Sequence, residues 1–268
     1  MYQNIIEKYN RCVEQYKRIV SDKFCPADFA EYNEVLFSAH SCAIEGNSFS
    51  IDETRTLKEK GLGMIPQGKT LLEAFEILDH FQTYEYLLKN LDSPLSEELI
   101  KETHRLLTEH TLSYRTKNDE IPSKPGEYTN VDMCAGDTVF GDHEKLISRV
   151  PDLLDSTQKA LDSGNIHPMI IAAKFHGFFI YLHPFRDGNG RLARMLTNFI
   201  LLKRELPILI IPREQREEYI SALKYIKKEH SDEFLVQFFF QTAIRRMNDE
   251  IQEKSNLTEN TANFEFHI

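Results

Sequence analysis

Residues 183–194 read HPFRDGNGRLAR and bring together residue types that bind phosphate groups and move protons. His183 precedes a proline, which disfavours helical backbone at the histidine and predicts that it lies on a turn. Gly188, Asn189 and Gly190 follow at the start of the next predicted helix. Backbone N–H groups at such a position converge on an anion at the positive end of the helix dipole. The stretch therefore predicts a phosphate-binding turn with a general base beside it.

Charged side chains next to this turn extend the same chemistry. Arg191 and Arg194 are three residues apart on the predicted helix, with Asn198 on the same face, so two guanidiniums could bind further phosphate groups. Asp187 offers one carboxylate beside the phosphate, as Mg²⁺ requires when it bridges a protein carboxylate and phosphate oxygens. Each residue alone is more typical of a turn or a solvated surface. Their order within one short stretch favours a site.

The rest of the chain predicts a mainly α-helical fold that would position this stretch. The 268 residues include only 11 Gly and 10 Pro, which favours long helices. Helices are predicted over residues 32–43, 71–81, 95–110, 191–206, 213–228 and 232–250. Residues 167–182 predict a nearly all-apolar, buried helix. Residues 126–141, GEYTNVDMCAGDTVFG, break this pattern and predict a short β-hairpin.

Composition narrows the classes of partner and compartment. The net charge of −10 argues against broad binding to nucleic acid or to acidic membranes. The four cysteines form no CxxC pair, and neither an apolar signal core nor a membrane-length apolar run occurs. We therefore expect reduced thiols, no membrane partner and a cytoplasmic location.

Residues 63–70, GMIPQGKT, satisfy a second phosphate-binding pattern, the P-loop G-x-x-x-x-G-K-[ST]. That loop follows a buried strand, whereas the residues before it here, DETRTLKEKGL, are charged. Pro66 also lacks the backbone N–H that should bind phosphate. We expect a surface connector instead.

His167, His176 and His183, together with Asp187, suggest a competing metal-dependent hydrolase site. Their spacings of nine and seven residues do not place the histidines on one helix face, and no HExxH pattern occurs. We expect His176 in the core or behind the site.

The stretch at 183–194 resembles the Fic family motif, H-x-F-x-[DE]-G-N-G-R-x-x-R, and matches every specified position. The helix before the motif and the predicted hairpin also fit the family, so the resemblance covers roughly residues 70–230. It implies a Fic-type helical bundle carrying a β-hairpin flap, by which we mean residues 126–141.

The resemblance implies a nucleotidyltransferase that moves AMP from ATP, with Mg²⁺, to a Tyr, Ser or Thr hydroxyl of a target protein or of the protein itself. The implied site consists of His183 as the base, Asp187 as the metal ligand, Gly188, Asn189 and Gly190 around the phosphates, Arg191 for the β-phosphate and Arg194 for the γ-phosphate. Phosphotransferase relatives carry lysine at the position of Gly190, which favours nucleotidyl transfer here.

The flap is expected to align the target segment by strand-like pairing. The residues implied in this role are Glu127, Tyr128, Thr129, Asn130 and Val131. Family flaps often have arginine after the aromatic residue, where this chain has Thr129. The threonine at this position is expected to affect which target protein is chosen more than the transfer reaction itself.

A second stretch, SCAIEGN at residues 41–47, predicts a regulatory contact. Gly46 is typical of the residue after a helix end, which puts Glu45 where a carboxylate opposes the helix dipole. Such a glutamate is either exposed at a small cost or paired with a cation. Ser41, Glu45 and Gly46 match the Fic inhibitory pattern [ST]-x-x-x-E-[GN], whose glutamate pairs with the second motif arginine, here Arg194.

We expect three regions: an N-terminal helical region with the inhibitory helix at 1–90, a Fic catalytic domain at 91–245 and a C-terminal tail at 246–268. Three alternatives stay open: removal of AMP, transfer of another phosphate-containing group, and a catalytically silent interaction module. The chain is compatible with a homodimer as well as with a monomer.

Overall fold

The structure of the protein is a computed structural model that describes residues 2–23, 25–118, 123–135, 138–140 and 142–265. It is mainly α-helical, which confirms the predicted fold class. The helices are α1 (Gln3–Ile19), α2 (Pro26–Ile44), α3 (Ile51–Lys60), α4 (Leu71–Lys89), α5 (Glu97–Leu107), α6 (Leu112–Arg115), α7 (Leu146–Ser163), α8 (Pro168–Leu182), α9 (Asn189–Leu202), α10 (Arg216–Glu229) and α11 (Glu233–Glu265).

Helices α8 and α9 form the centre of the bundle. Helix α8 packs against α7, α9, α10 and α11, and α9 also contacts α2, α4 and α5. The sequence predicts a polar face on α9, but the structure buries that face too: Arg191 is 1% exposed and Arg194 is 3% exposed. Asn198 lies outside the site, because its side chain pairs with both backbone groups of Leu209. Helix α9 can be polar and buried because its neighbours supply partners.

The flap is present as a two-stranded antiparallel hairpin, as predicted, with β1 (Cys134–Ala135) paired to β2 (Thr138–Val139). Residues 136, 137 and 141 of the predicted flap lie outside the described part of the chain. The predicted target-aligning residues 127–131 precede β1 and have no strand structure.

The two ends of the chain pack together, since α1 lies along α11. Helix α11 continues without a break through the predicted boundary at residue 246. One apolar cluster includes Tyr9 of α1, Phe179 of α8 and Met247 of α11. The division into three regions stays a prediction, and packing continues across both of its boundaries.

The segment at 63–70 is a connector, as predicted, because α3 precedes it and Thr70 caps the N-terminus of α4. Within the described residues, no helix combines the length and the apolar character needed to cross a membrane.

Candidate phosphate site at the start of helix α9

The turn that holds His183 forms where the sequence predicts it. Helix α8 ends at Leu182, and His183 adopts a left-handed backbone with a φ of 49° before Pro184. The imidazole Nδ1 lies 3.3 Å from the carbonyl oxygen of Ile180. In the neutral tautomer that donates this hydrogen bond, Nε2 carries the lone pair and can accept a proton.

The imidazole of His183 is neutral at physiological pH because of its surroundings. Burial lowers its pKa to about 4, against smaller opposing effects of the Ile180 carbonyl and of the Glu45 and Asp187 carboxylates. The ring of Phe140, which follows β2, stacks on the imidazole at 3.7 Å between centroids. A neutral imidazole is the form that acts as a general base.

A pocket of about 150 Å³ lies between His183 and residues 188–190, which we call the glycine turn. The Asn189 side chain faces the protein, because it accepts from the N–H of Phe185 and donates to the same residue's carbonyl. The side chain therefore shapes the turn, and Asn189 could offer a phosphate only its backbone N–H.

Arg191 is held by carboxylates on two sides. Its Nη1 lies 3.1 Å from Glu76 Oε1 and its Nη2 lies 3.3 Å from Asp187 Oδ2. Burial alone would lower the pKa of Arg191, but Glu76 and Asp187 outweigh burial and the pKa is raised. Arg115 of α6 pairs with the same two carboxylates and lines the pocket. The guanidinium is therefore charged and held in place before any ligand binds.

Three guanidinium nitrogens lack a hydrogen-bond partner within the described part of the chain. Arg191 Nε, Arg191 Nη1 and Arg194 Nη1 are buried without one, although Arg191 Nη1 forms the ion pair with Glu76. Arg194 Nη1 faces the glycine turn, since it would lie 3.3 Å from a Cβ added to Gly190. Unpartnered buried donors beside a helix N-terminus suit a phosphate oxygen.

Asp187 offers one carboxylate to the pocket, and its side chain is 29% exposed. One carboxylate suits Mg²⁺, which usually keeps several waters and takes its other ligands from substrate phosphates. Among the residues that the structure describes, a group of three side chains with ligand atoms close together occurs at Asp132, Asp142 and His143, beside the flap hairpin. A metal at Asp187 would therefore depend on the phosphate that it accompanies.

The structure brings the end of α2 onto Arg194. Glu45 Oε1 lies 2.8 Å from Arg194 Nη2, and the hydroxyl and carbonyl of Ser41 accept from the same guanidinium at 3.0 and 2.8 Å. Burial would raise the pKa of Glu45, but Arg194 outweighs burial and lowers it. A Cβ added to Gly190 would collide with Glu45 Oε1, so the carboxylate also covers the glycine turn.

Comparisons with known proteins identify the family of this chain. Residues 94–201 match the sequence model of the Fic/DOC family. The protein named Protein adenylyltransferase Fic from Drosophila grimshawi is 33% identical over 190 residues, which are 69% of this chain and 36% of that protein. The chain belongs to the Fic/DOC family. It spans about a third of the length of the curated relatives that it matches.

Solved Fic structures share the fold. A Fic domain containing signaling protein from Bacteroides thetaiotaomicron superposes with a TM-score of 0.78 at 22% identity, covering 93% of this chain and 97% of the other. The structure described as IbpAFic2 covalently tethered to Cdc42 has a TM-score of 0.56 at 17% identity and covers 90% of this chain and 70% of that one.

The residues expected to align the target lie on the Fic/DOC domain beside the motif. The N–H of Thr129 donates to the carbonyl of Pro184 at 2.8 Å, and the hydroxyl of Tyr128 donates to Glu97 at 3.0 Å. Glu127 and Asn130 are exposed, and the N–H of Val131 bonds to the Thr129 hydroxyl. The segment is anchored at Tyr128 and Thr129, with exposed side chains on both sides.

The histidines of the competing hydrolase interpretation have structural partners. His167 caps α8 by accepting from the N–H of Met169. His176 is buried behind α9, with Nδ1 at 2.9 Å from the Thr197 hydroxyl and Nε2 at 2.7 Å from the Tyr219 hydroxyl. The position expected for His176 is thereby confirmed.

Four residues of the site escaped the sequence analysis: Glu76, His104, Arg115 and Phe140. They come from α4, α5, α6 and the flap, so no contiguous pattern joins them. The sequence signal for two of them is a polar residue inside a helix that apolar periodicity predicts, Glu76 in α4 and His104 in α5.

Proposed function

We propose that this protein transfers AMP from ATP to a hydroxyl side chain of a target protein, and that its own α2 holds it inactive. The observation that carries the proposal is the neutral His183 imidazole facing a helix N-terminus where Arg191 and Arg194 keep unpartnered N–H donors. That combination provides a base for a hydroxyl and an anion site for a polyphosphate, side by side. The relatives named Protein adenylyltransferase Fic support AMP as the transferred group.

In the proposed reaction, His183 Nε2 takes the proton of the target hydroxyl as its oxygen attacks the α-phosphorus of ATP. A new oxygen–phosphorus bond forms to AMP, and the bond to the β-phosphate breaks so that pyrophosphate leaves. The glycine turn, Arg191 and Arg194 bind the phosphates and offset the charge that develops on them. Asp187 would hold Mg²⁺, which when bound neutralises charge on the leaving pyrophosphate.

A protein target is supported by the fold relative that is described as covalently tethered to Cdc42. The polar, exposed residues Glu127 and Asn130 around the anchored flap segment are the ones that we expect to meet a target strand. The type of hydroxyl, the cytoplasmic location and the oligomeric state stay predictions.

Inhibition by α2 is supported by the contacts of Glu45. Its carboxylate competes with phosphate for the Arg194 guanidinium and for the space above Gly190. The Arg194 guanidinium is buried but the Glu45 side chain is 37% exposed, so the carboxylate can leave the ion pair for water when a phosphate competes. With Arg194 engaged, ATP would lack its γ-phosphate contact and in-line attack would be disfavoured.

The test is incubation of the protein with α-labelled ATP, Mg²⁺ and cell lysate, in the wild type and in four variants. Glu45→Gly should raise labelling of proteins by about tenfold or more. Adding His183→Ala should reduce that labelling by about 10² to 10⁴-fold while ATP binding, measured by calorimetry, persists. Arg194→Ala should show no gain, and Glu45→Gly should not rescue it.

The outcomes separate the alternatives. Free AMP released from previously labelled proteins would favour the reverse reaction. ATP binding without transfer or release in Glu45→Gly would favour a silent interaction module. If Glu45→Gly labels no better than an already active wild type, the inhibitory role is wrong while the catalytic one survives.

A further inference from the structure

His104, on α5, is a buried histidine that lies between the flap and the motif turn. The N–H of Gly126, the first residue of the flap, donates to His104 Nδ1 at 2.8 Å. On the other side of the ring, His104 Nε2 lies 3.0 Å from the carbonyl oxygen of Asp187. The side chain is fully buried, so both bonds form away from water.

These two partners determine the protonation of the ring. A backbone N–H can only donate, so Nδ1 must carry the lone pair that accepts from Gly126. Nε2 must then carry the hydrogen, which it donates to the Asp187 carbonyl. Burial lowers the pKa of His104 to about 4, so the single-proton form persists throughout the neutral range. Each nitrogen has one role, and the two roles cannot be exchanged.

Close packing surrounds these bonds on both sides. The ring of Phe185 stacks on His104 with 3.8 Å between centroids and an interplanar angle of 8°. A Cβ on Gly126 would come within 2.9 Å of the Lys101 carbonyl, and a Cβ on Gly188 within 2.9 Å of Thr108 Cγ2. The flap and the motif turn therefore rest directly on α5 at the two ends of the imidazole.

We propose that His104 is a positioning residue that aligns the target-binding flap with the Asp187 turn. It accepts a hydrogen bond from the flap and donates one to the turn. The inference rests on the proposed function, because it assigns the flap to the target and Asp187 to Mg²⁺-ATP. His104 touches neither substrate. It places the two substrate-binding segments on one support, so that the attacking hydroxyl and the phosphate meet in register.

The two roles can be separated by substitution. The His104→Asn amide oxygen lies near the former Nδ1 and keeps an acceptor for Gly126, while the donor to Asp187 is lost. The His104→Gln amide nitrogen reaches toward the former Nε2 and keeps a donor for Asp187, while the acceptor for Gly126 is lost. His104→Phe keeps a ring to stack on Phe185 and loses both bonds.

Three measurements test the two hydrogen bonds of His104. They are hydrogen exchange of residues 123–135, calorimetric binding of Mg²⁺-ATP, and labelling of lysate proteins in the Glu45→Gly background. His104→Gln should speed exchange in the flap and reduce labelling by about five- to tenfold even at saturating ATP, with ATP affinity unchanged. His104→Asn should weaken ATP affinity by a similar factor, leave flap exchange unchanged and regain labelling at saturating ATP. His104→Phe should show both losses.

Parallel changes in the Asn and Gln variants, or no change in either, would mean that His104 only fills space. Should His104→Phe fail to fold, the contrast between the two amides still decides the matter. If Glu45→Gly labels no protein at all, the proposed function fails, whereas exchange and calorimetry still report on His104 independently.

Discussion

At the scale of single residues, burial rather than a charged partner sets the pKa of His183, the proposed base. The ring of Phe140 covers the His183 imidazole, and the Ile180 carbonyl orients it. Desolvation penalises the charged imidazolium, so the pKa falls to about 4. A histidine with an ordinary pKa near 6.5 would lose its base form within the physiological range.

This arrangement predicts the pH dependence of transfer. The base form of His183 is fully present above its folded pKa and is lost as the pH falls through about 4. Therefore kcat/KM for the target in Glu45→Gly should stay level from neutral pH to about pH 5 and decline below that. Removing Glu45 also removes a carboxylate that raises the His183 pKa, so the variant does not move the decline upward.

Two substitutions at Phe140 provide the control. Phe140→Ala opens the imidazole to water, so the acid limb should move upward toward the ordinary value near 6.5. Phe140→Leu keeps an apolar cover and should leave the limb in place. An acid limb near 6.5 in Glu45→Gly itself would contradict the role of burial.

At the scale of elements, the C-terminus of α2 shows how a carboxylate can stand at the wrong end of a helix dipole. The N–H groups of Gly46 and Asn47 return to the carbonyls of Ala43 and Cys42, with Gly46 at a φ of 103°. This is the Schellman motif, which needs a residue that tolerates positive φ. The remaining carbonyls of Ser41 and Ile44 accept from Arg194 and Arg216, two cations from outside the helix.

Arg216 therefore provides a second test of the proposed inhibition by α2. Its Nε donates to the Ile44 carbonyl at 2.7 Å, so Arg216→Ala should fray the end of α2 and hold Glu45 less firmly. We expect labelling to rise by about two- to fivefold, the effect of one modest hydrogen bond. In the Glu45→Gly background the same change should add nothing.

Arg213→Ala is the matched control for Arg216→Ala. The Arg213 side chain is 58% exposed and its ion-pair partner Glu214 is 3.8 Å away, so its removal should leave labelling at the wild-type level. An equal gain from Arg216→Ala with and without Glu45 would show that Arg216 acts elsewhere.

The elements also show what the sequence could and could not predict. The turn at His183 and the helix end at Gly46 depend on local backbone preferences, which Pro184 and Gly46 reveal directly. The buried face of α4 cannot be predicted from local preferences in this way. That face carries Glu76, Asp79 and His80, while the apolar Leu71 is 51% exposed. Partners from other elements, such as Arg191 for Glu76, decide that orientation, and apolar periodicity holds no information about them.

At the scale of the whole molecule, the first and last helices complete one core. Arg246 of α11 donates to Asn33 of α2 at 2.5 Å and pairs with Glu250 at 2.7 Å. Glu250 in turn accepts from the buried Tyr16 hydroxyl of α1 at 2.6 Å. These bonds join three helices behind the site, with α2 among them. The end of the chain thereby supports the helix that covers Arg194.

A truncation pair tests this dependence. A chain ending at residue 245 loses Arg246, Met247 and Glu250, which leaves Tyr16 and Asn33 buried without these partners. Each unsatisfied buried group costs about 1–3 kcal/mol, and loss of the buried methionine costs about as much again. Since 1 kcal/mol shifts the melting temperature by about 2–4 °C in a domain of this size, we expect a fall of about 10 °C or more.

A chain ending at residue 256 is the control, because it keeps every one of these contacts and should melt close to the full chain in the same calorimetric scan. If both truncated chains melt like the full chain, α11 beyond residue 245 contributes no packing and is the separate tail that the sequence predicts. If only the chain ending at residue 245 melts early, the core extends into α11 through the contacts of Arg246, Met247 and Glu250.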